Sequence, residues 1–193
     1  MTDRIQTIRD AILKQALPAV AFDGWTAKML EKAAIDAGYE SSMTGAVFPD
    51  GISGALDHFA DLMDRQMLDN LAKTDARDLK VRERIRTAVM ARLEALQPWR
   101  EAERRAVAWW SRPFRVARGG RLLWRTADRI WDWAGDTATD YNRYTKRGLL
   151  SGVLASTTLA WLNDEDSAPA FLDRRIENVM QWGRILGRIR KTG

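Results

Sequence analysis

The chain has 193 residues, of which 46% are hydrophobic and 30% are charged, and its formal net charge is +5. This composition is typical of a globular protein and excludes a disordered chain or a protein with many membrane spans. The absence of Cys excludes disulfide frameworks and thiol nucleophiles, and the single His, His58, excludes sites that need two imidazoles. Most classes of enzyme are therefore excluded, and we expect neither a metal nor another cofactor.

Apolar residues recur at steps of three and four along the N-terminal third, which predicts four helices. They cover about residues 5–20, 27–37, 41–48 and 52–72. Thr26 is the expected N-cap of the second helix, and Gly38 is expected to end it. The fourth helix should follow the turn Pro49-Asp-Gly51.

The same spacing predicts five further helices in the rest of the chain. They are expected over 79–96, between Pro98 and Pro113, over 122–134 after a break at Gly119-Gly120, from Thr139 or Asp140 to Trp161, and from Ser167 to about Arg190. No strand pattern is found. The predicted fold class is therefore all-α, with about nine helices.

Charge is unevenly distributed along the chain. Residues 21–64 carry two basic and eight acidic side chains, whereas Arg100–Arg129 contains nine Arg among several Trp. A basic, aromatic segment of this kind is typical of a surface for nucleic acid, for an anionic membrane or for an acidic partner. A solvated helix face explains the pattern equally well, so both interpretations stay open.

Residues 1–65 have the layout of a helix-turn-helix module, with two short helices joined by a tight turn and followed by a longer helix. The segments Ala11-Ile-Leu13, Phe22-Asp-Gly-Trp-Thr26 and Phe48-Pro-Asp-Gly51 resemble the start of TetR-family repressors. The resemblance implies a TetR-like fold. The module would occupy 1–65, and a helical ligand-binding and dimerisation domain would occupy 66–193.

Charge argues against DNA binding by this module. The helix that would enter the groove, Ser41–Phe48, has no basic residue, and its surroundings are acidic. A groove-binding helix normally carries Lys or Arg for the phosphates. We therefore expect the module to be retained as architecture, and a TetR-type ligand-responsive regulator is the alternative function.

The most specific motif is Ala134-Gly-Asp-x-x-Thr-Asp-Tyr-Asn-x-Tyr-Thr-Lys-Arg147. Together with Phe22–Thr26 and Ala170–Met180, it resembles the family of the ninth coenzyme Q biosynthesis protein and its bacterial relatives, over about residues 8–183. The resemblance implies a non-catalytic accessory protein, here a bacterial homodimer. Such a protein binds isoprenoid quinone intermediates or phospholipid and presents quinone intermediates to the demethoxyubiquinone hydroxylase.

The resemblance also implies a surface that docks the hydroxylase. Carried onto this chain, the docking residues are Ile130, Tyr141, Asn142, Arg143, Tyr144, Lys146 and Arg147. The family commonly has Trp where this chain has Arg143. Since Trp is a typical hot-spot residue at interfaces, this departure bears on the affinity or on the identity of the partner.

Two lipid-facing regions are expected from the same resemblance. The uncharged helix Gly148–Leu162 and its neighbours are predicted to bind the lipid through Trp124, Ala127, Trp131, Leu150, Val153, Leu154, Thr157, Trp161 and Val179. The small residues of that helix could instead pack against a second subunit. The C-terminal segment is predicted to touch a membrane through Trp182, Ile185, Leu186 and Ile189, with packing on the core or on a second subunit as the alternative.

The expected location is the cytoplasm, with peripheral contact at the inner membrane. The chain opens with Met-Thr-Asp-Arg-Ile-Gln, which alternates charged and apolar residues and does not resemble a secretory signal. The longest uncharged run, Gly148–Asn163, is shorter than the roughly 20 apolar residues that span a bilayer. It is therefore predicted to be a buried helix.

Overall fold

The computed structural model describes residues 2–136 and 141–189, with side chains described for 4–136 and 143–179. All regular structure within these residues is helical, which confirms the predicted all-α class. The helices are α1 (Thr2–Asp23), α2 (Ala27–Asp36), α3 (Met43–Val47), α4 (Ile52–Leu71), α5 (Val81–Leu96), a 3-10 turn (Gln97–Trp99), α6 (Arg100–Trp110), α7 (Val116–Trp133), α8 (Tyr141–Asn163) and α9 (Ala168–Ile189). Within the described residues, no helix has the length and apolarity needed to cross a membrane.

The chain forms two compact units. The first comprises residues 1–66 and 95–119, and the second comprises 67–94 and 120–193. The first unit thus holds the predicted helix-turn-helix module together with α6, a segment that the sequence analysis placed in the second domain. The long helices α4, α5 and α7 each contribute residues to both units.

A buried tryptophan joins α6 to the module in the first unit. Trp25 donates from its indole nitrogen to the carbonyl oxygen of Ala102 at 3.1 Å, and its ring lies 5.5 Å from that of Phe59. Arg105 donates to the carbonyl oxygen of Ala21 at 2.8 Å. These contacts connect α6 to the end of α1 and to α4, which explains why residues 95–119 belong to this unit.

The predicted helix ends in the module are confirmed. Thr26 accepts a hydrogen bond from the backbone nitrogen of Met29 at 3.2 Å, as an N-cap does. Gly38 follows α2 with φ at +84°, and its nitrogen donates to Ile35 at 2.9 Å.

His58 has a structural role in the first unit. Its Nε2 lies 2.7 Å from Oδ1 of Asp10, and the side chain is buried. Arg65 also donates to both carboxylate oxygens of Asp10, at 2.6 Å and 3.0 Å. The three side chains tie α1 to α4.

The second unit has its own apolar core, built from α5, α7, α8 and α9 with the end of α4. Its buried members are Met67, Leu71, Ile85, Ala88, Val89, Ala91, Ala127, Ile130, Ala134, Leu150, Val153, Leu154 and Leu172. The periodic stripes predicted on α5 and α7 supply Ile85, Val89, Ala127, Ile130 and Ala134. The spacing of apolar residues in the sequence therefore predicted several residues of this core.

The predicted break at Gly119-Gly120 is wrong, because α7 begins at Val116 and passes through both glycines. Glycine is needed at position 119 because this residue packs closely against Trp110 in the first unit. A Cβ atom added at Gly119 would lie 2.9 Å from Cβ of Trp110. Gly119 is thus required by a neighbouring side chain, although Gly is usually read as a helix breaker.

Gly119→Ala should lower the free energy of unfolding by about 1–3 kcal/mol, because the added methyl group forces Trp110 to shift. Gly120→Ala is the matched control, since a Cβ there has no neighbour within 4 Å. It should raise stability by about 0.5–1 kcal/mol through helix propensity. Urea denaturation of both variants measures the difference, and equal effects at the two positions would contradict the packing argument.

Candidate functional site

A buried arginine connects α7 to α8 in the second unit. Asp128 and Asp132 lie one turn apart on α7, and Asp136 follows after the helix end. Arg147 on α8 donates from Nη1 to Asp136 at 3.1 Å, from Nη2 to Asp132 at 3.2 Å, and from Nε to Asp128. Its side chain is only 2% exposed, so the guanidinium group is buried, whereas its partners range from the buried Asp136 to the largely exposed Asp132.

Two further cations complete this cluster. Arg143 donates to Asp128 at 3.2 Å, and Lys146 donates to Asp136 at 2.7 Å. The Lys146 ammonium also lies 5.3 Å from the centre of the Trp131 ring. We call Asp128, Asp132, Asp136, Arg143, Lys146 and Arg147 the charge cluster. Three positive charges balance three negative charges within it, so the basic motif on α8 is held by α7.

Electrostatics favours the ionised form of the cluster. Burial raises the pKa of Asp128, but the hydrogen bonds from Arg147 and Arg143 outweigh it and hold that pKa below its usual value of 3.8. Burial likewise lowers the pKa of Arg147, and the carboxylates of Asp128 and Asp136 more than reverse this effect. The ion pair of Asp128 and Arg147 is therefore charged at neutral pH.

Beside the charge cluster lies a partly exposed aromatic pair. The rings of Trp124 on α7 and Tyr144 on α8 are 6.2 Å apart, and Tyr144 is 63% exposed. A Cβ at Gly148 would lie 3.8 Å from the Trp124 ring, an ordinary contact distance, so the Trp124 ring lies beside α8 at this position. We call Trp124, Arg143 and Tyr144 the aromatic face. Trp124 was predicted to bind lipid, but it lies on this surface.

Several predicted lipid-binding residues meet in the core of the second unit. Ala127, Leu150, Val153 and Leu154 are members of the core, and Trp131 and Val179 pack against it from the edge. Ile130, predicted to face a partner, is 0% exposed in the same core. The structure thus brings α7, α8 and α9 residues together as one apolar wall.

Thr157 introduces a polar group into the buried face of α8. Its side chain is 0% exposed, and its hydroxyl oxygen has no hydrogen-bond partner within the described residues. Val153, Leu154 and Trp161 lie one turn away on the same face and are also buried. A buried polar group without a partner is rare and unfavourable, so this hydroxyl needs an explanation.

Some predicted site residues lie outside the described side chains. Tyr141 and Asn142 are the first two residues of α8, and Trp182, Ile185, Leu186 and Ile189 are in the second half of α9. The expected N-cap at Thr139 or Asp140 is outside the described residues altogether. Their roles stay predictions.

Sequence reasoning missed the acidic half of the charge cluster. Asp128, Asp132 and Asp136 recur every four residues, which places the first two on one side of α7 and the third just beyond its end. The basic residues Arg143, Lys146 and Arg147 follow at the start of the next helix. Acidic residues near the end of one helix, followed by basic residues at the start of the next, predict that the two helices are joined by ion pairs.

Arg147→Met should lower the free energy of unfolding by about 3–5 kcal/mol, because it leaves three carboxylates, one of them buried, without their shared cation. Arg143→Met is the matched control, since Arg143 is 42% exposed and contacts only Asp128 in the cluster. It should change stability by at most about 1 kcal/mol. Chemical denaturation distinguishes the two, and a small effect at Arg147 would contradict the assigned role.

Low pH should weaken the ion pairs of Asp128 in the charge cluster and thereby lower the stability of the protein. Because folding lowers the pKa of Asp128, its stabilising contribution is complete above the usual pKa and is lost as the pH falls through the folded value. Stability should therefore decrease as the pH falls below about 4. Asp128→Asn should show a smaller decrease over the same interval, and an identical acid limb would count against the ion pair.

Comparison with known proteins places this geometry in context. Residues 116–183, which include the charge cluster, match the COQ9 family. The chain is 32% identical to the "Ubiquinone biosynthesis protein COQ9, mitochondrial" of Rattus norvegicus, in an alignment that covers 97% of this chain and 64% of the rat protein. The human protein of the same name is 30% identical, with 97% and 62% covered. The chain thus spans less than two thirds of the length of these relatives.

A solved structure confirms the predicted TetR-like fold. The TetR transcriptional regulator from Nitrosomonas europaea ATCC 19718 has a TM-score of 0.69 with this chain, covering 89% of this chain and 97% of that chain at 20% identity. Such a distant likeness concerns the fold alone. The match over residues 116–183 and the alignments along almost the whole chain show that this chain is similar to the COQ9 family.

Proposed function

We propose that this chain is a non-catalytic, lipid-binding accessory protein of ubiquinone biosynthesis that presents isoprenoid quinone intermediates to the demethoxyubiquinone hydroxylase. The relatives that align along 97% of the chain are named as ubiquinone biosynthesis proteins, which supports the pathway. The single His leaves the chain without the two His ligands of a bundle di-iron oxygenase. We therefore assign the oxidation to the partner.

The observation that carries the lipid proposal is the buried Thr157 hydroxyl. It can donate a hydrogen bond, and the carbonyl oxygens of a quinone can accept one. The apolar residues around it on α8 match an isoprenoid tail, which offers no polar contact. A quinone bound along this wall would give the Thr157 hydroxyl the hydrogen-bond partner that it lacks within the described residues.

The docking proposal rests on the aromatic face. Tyr144 is largely exposed and is stacked near Trp124, so it offers a rigid apolar contact at a low entropy cost. Arg143 takes part in the charge cluster and still exposes 42% of its side chain. Ile130 and Arg147 are covered, so we propose that they support this face from beneath and do not touch the partner.

Dimerisation and location belong to the same proposal. A homodimer would follow the TetR-like pattern, and the C-terminal half of α9 would contact the membrane that holds the quinones. The named relatives are mitochondrial proteins, whereas the sequence analysis expects a cytoplasmic, bacterial chain. The expected cytoplasmic location stays a prediction.

A ligand-responsive regulator is the competing function, and charge weighs against it. The candidate recognition helix α3, Met43–Val47, has five residues and no Lys or Arg. Duplex DNA presents a dense row of phosphates, which such a helix cannot neutralise. Tight, salt-sensitive binding to a palindromic site would favour the regulator.

Thr157→Val should lower the affinity for a demethoxyubiquinone analogue roughly fivefold, the effect of one neutral hydrogen bond. The same change should raise the free energy of unfolding by about 1 kcal/mol, since it removes an unsatisfied hydroxyl. Thr126→Val is the control, because the Thr126 hydroxyl donates to the carbonyl oxygen of Leu122 at 3.2 Å. That variant should be destabilised and should bind normally. Unchanged affinity in Thr157→Val would refute the assigned hydrogen bond.

Tyr144→Ala should weaken hydroxylase binding by about tenfold or more, as expected for an aromatic hot spot. Leu159→Ala is the matched control, an exposed apolar residue farther along the same helix. It should bind the hydroxylase normally. Arg143→Trp restores the residue common in the family and should strengthen binding. Isothermal titration with purified hydroxylase measures all three, and equal affinity for Tyr144→Ala and wild type would remove the aromatic face from the interface.

A further inference from the structure

The loop at 111–115, between α6 and α7 in the first unit, presents an aromatic side chain to water. Phe114 at its tip is fully exposed, and Val116 at the start of α7 is 63% exposed. Single exposed apolar residues are common on protein surfaces. Phe114 and Val116 are separated by one residue and lie within the basic segment Arg100–Arg129, so their exposure calls for an explanation from their surroundings.

The backbone at Phe114 is strained. Its φ is +68°, and it is the only residue other than glycine with positive φ among those the structure describes. A bulky L-residue rarely adopts this conformation, and strain of this kind is retained where the surroundings or the function require it. Packing does not require it here, because the Phe114 ring is fully exposed.

Two arginines flank this ring. The guanidinium groups of Arg112 and Arg115 lie 5.8 Å and 3.8 Å from the centre of the Trp109 ring. Neither forms an ion pair with any carboxylate of the described part of the chain. Arg118, one turn beyond Arg115, is instead held by Asp50 and Asp57. The loop therefore carries an exposed Arg112 and a half-buried Arg115 beside its exposed apolar residues, and no carboxylate of the described residues pairs with either.

We propose that loop 111–116 is a membrane-contact site that inserts Phe114 and Val116 into the interface of an anionic phospholipid bilayer. Arg112 and Arg115 would then lie at the level of the lipid phosphates. Aromatic rings favour this interfacial depth, and each basic residue near an anionic surface adds attraction. This site is separate from the predicted lipid wall and from α9, and the proposal does not depend on the proposed function.

Shape and charge favour a bilayer over a protein partner. An exposed ring in a loop that also carries two cations needs an acceptor that deforms around it and carries negative charge. A bilayer surface does both without a matching pocket. An acidic protein surface would need a preformed cavity for Phe114, and it is the alternative occupant that the experiment distinguishes.

The absence of native Cys allows a site-specific test. A single Cys is introduced as Phe114→Cys and labelled with a polarity-sensitive nitrobenzoxadiazole dye. Phe22→Cys is the matched control, because Phe22 is also exposed (87%) and lies in the same unit. With vesicles of phosphatidylglycerol and phosphatidylcholine, the label at 114 should shift to the blue and brighten, and the label at 22 should not. Vesicles of phosphatidylcholine alone should give no shift.

Vesicle cosedimentation of unlabelled variants measures how much each side chain contributes to membrane binding. Phe114→Ala should reduce partitioning into the anionic vesicles by about tenfold, and Phe22→Ala should not change it. Arg112→Glu changes the local charge by two units and should reduce partitioning by about 30-fold, an effect that added salt weakens. Phe114→Gly should raise the melting temperature while it lowers partitioning, which separates lost binding from lost folding.

A dye at residue 114 that responds equally to both kinds of vesicle, or to neither, overturns the proposal. Normal partitioning of Phe114→Ala does so as well. A silent dye at 114, in a protein that still cosediments, would assign membrane binding to another segment and leave an acidic protein as the occupant of this loop.

Discussion

The three carboxylates gathered around Arg147 are the interaction on which the candidate site depends. Burying one guanidinium group is unfavourable unless it is fully paired, and here two of its partners lie one turn apart on α7 and the third, Asp136, follows the end of that helix. This geometry fixes the start of α8 against α7. It thereby holds Tyr144 beside Trp124 and leaves part of Arg143 exposed. A docking surface made of side chains that are already held in place loses less entropy on binding.

The second unit combines the charge cluster with a buried apolar face of α8. This face contains one hydroxyl group, that of Thr157, without a hydrogen-bond partner within the described residues. The hydroxyl of Thr157 lies among buried apolar residues and lowers the stability of the empty protein. Binding sites commonly retain such unfavourable groups, because selection acts on function once stability is sufficient. The charge cluster and the buried Thr157 hydroxyl lie towards opposite ends of α8, where we propose hydroxylase docking and lipid binding, respectively.

How well the sequence predicted each part of this structure depends on whether the interactions there are local or join different helices. Helices such as α2 were predicted because capping at Thr26 and termination at Gly38 are local events. Long-range packing was not visible, so Gly119 was read as a helix break when it makes room for Trp110. Ile130 was assigned to a surface through family resemblance, and only the fold shows that it is buried. Asp132 was overlooked because its partner, Arg147, lies on the next helix.

The most direct test of the central claim is the quinone profile of the organism that encodes this chain, after deletion of its gene. Lipid extracts analysed by mass spectrometry should show a loss of ubiquinone and an accumulation of the demethoxy intermediate. Both changes should be reversed by the wild-type gene and only partly by a gene encoding Tyr144→Ala. An unchanged ubiquinone level, with no demethoxy intermediate, would contradict a role in presenting quinones to the hydroxylase.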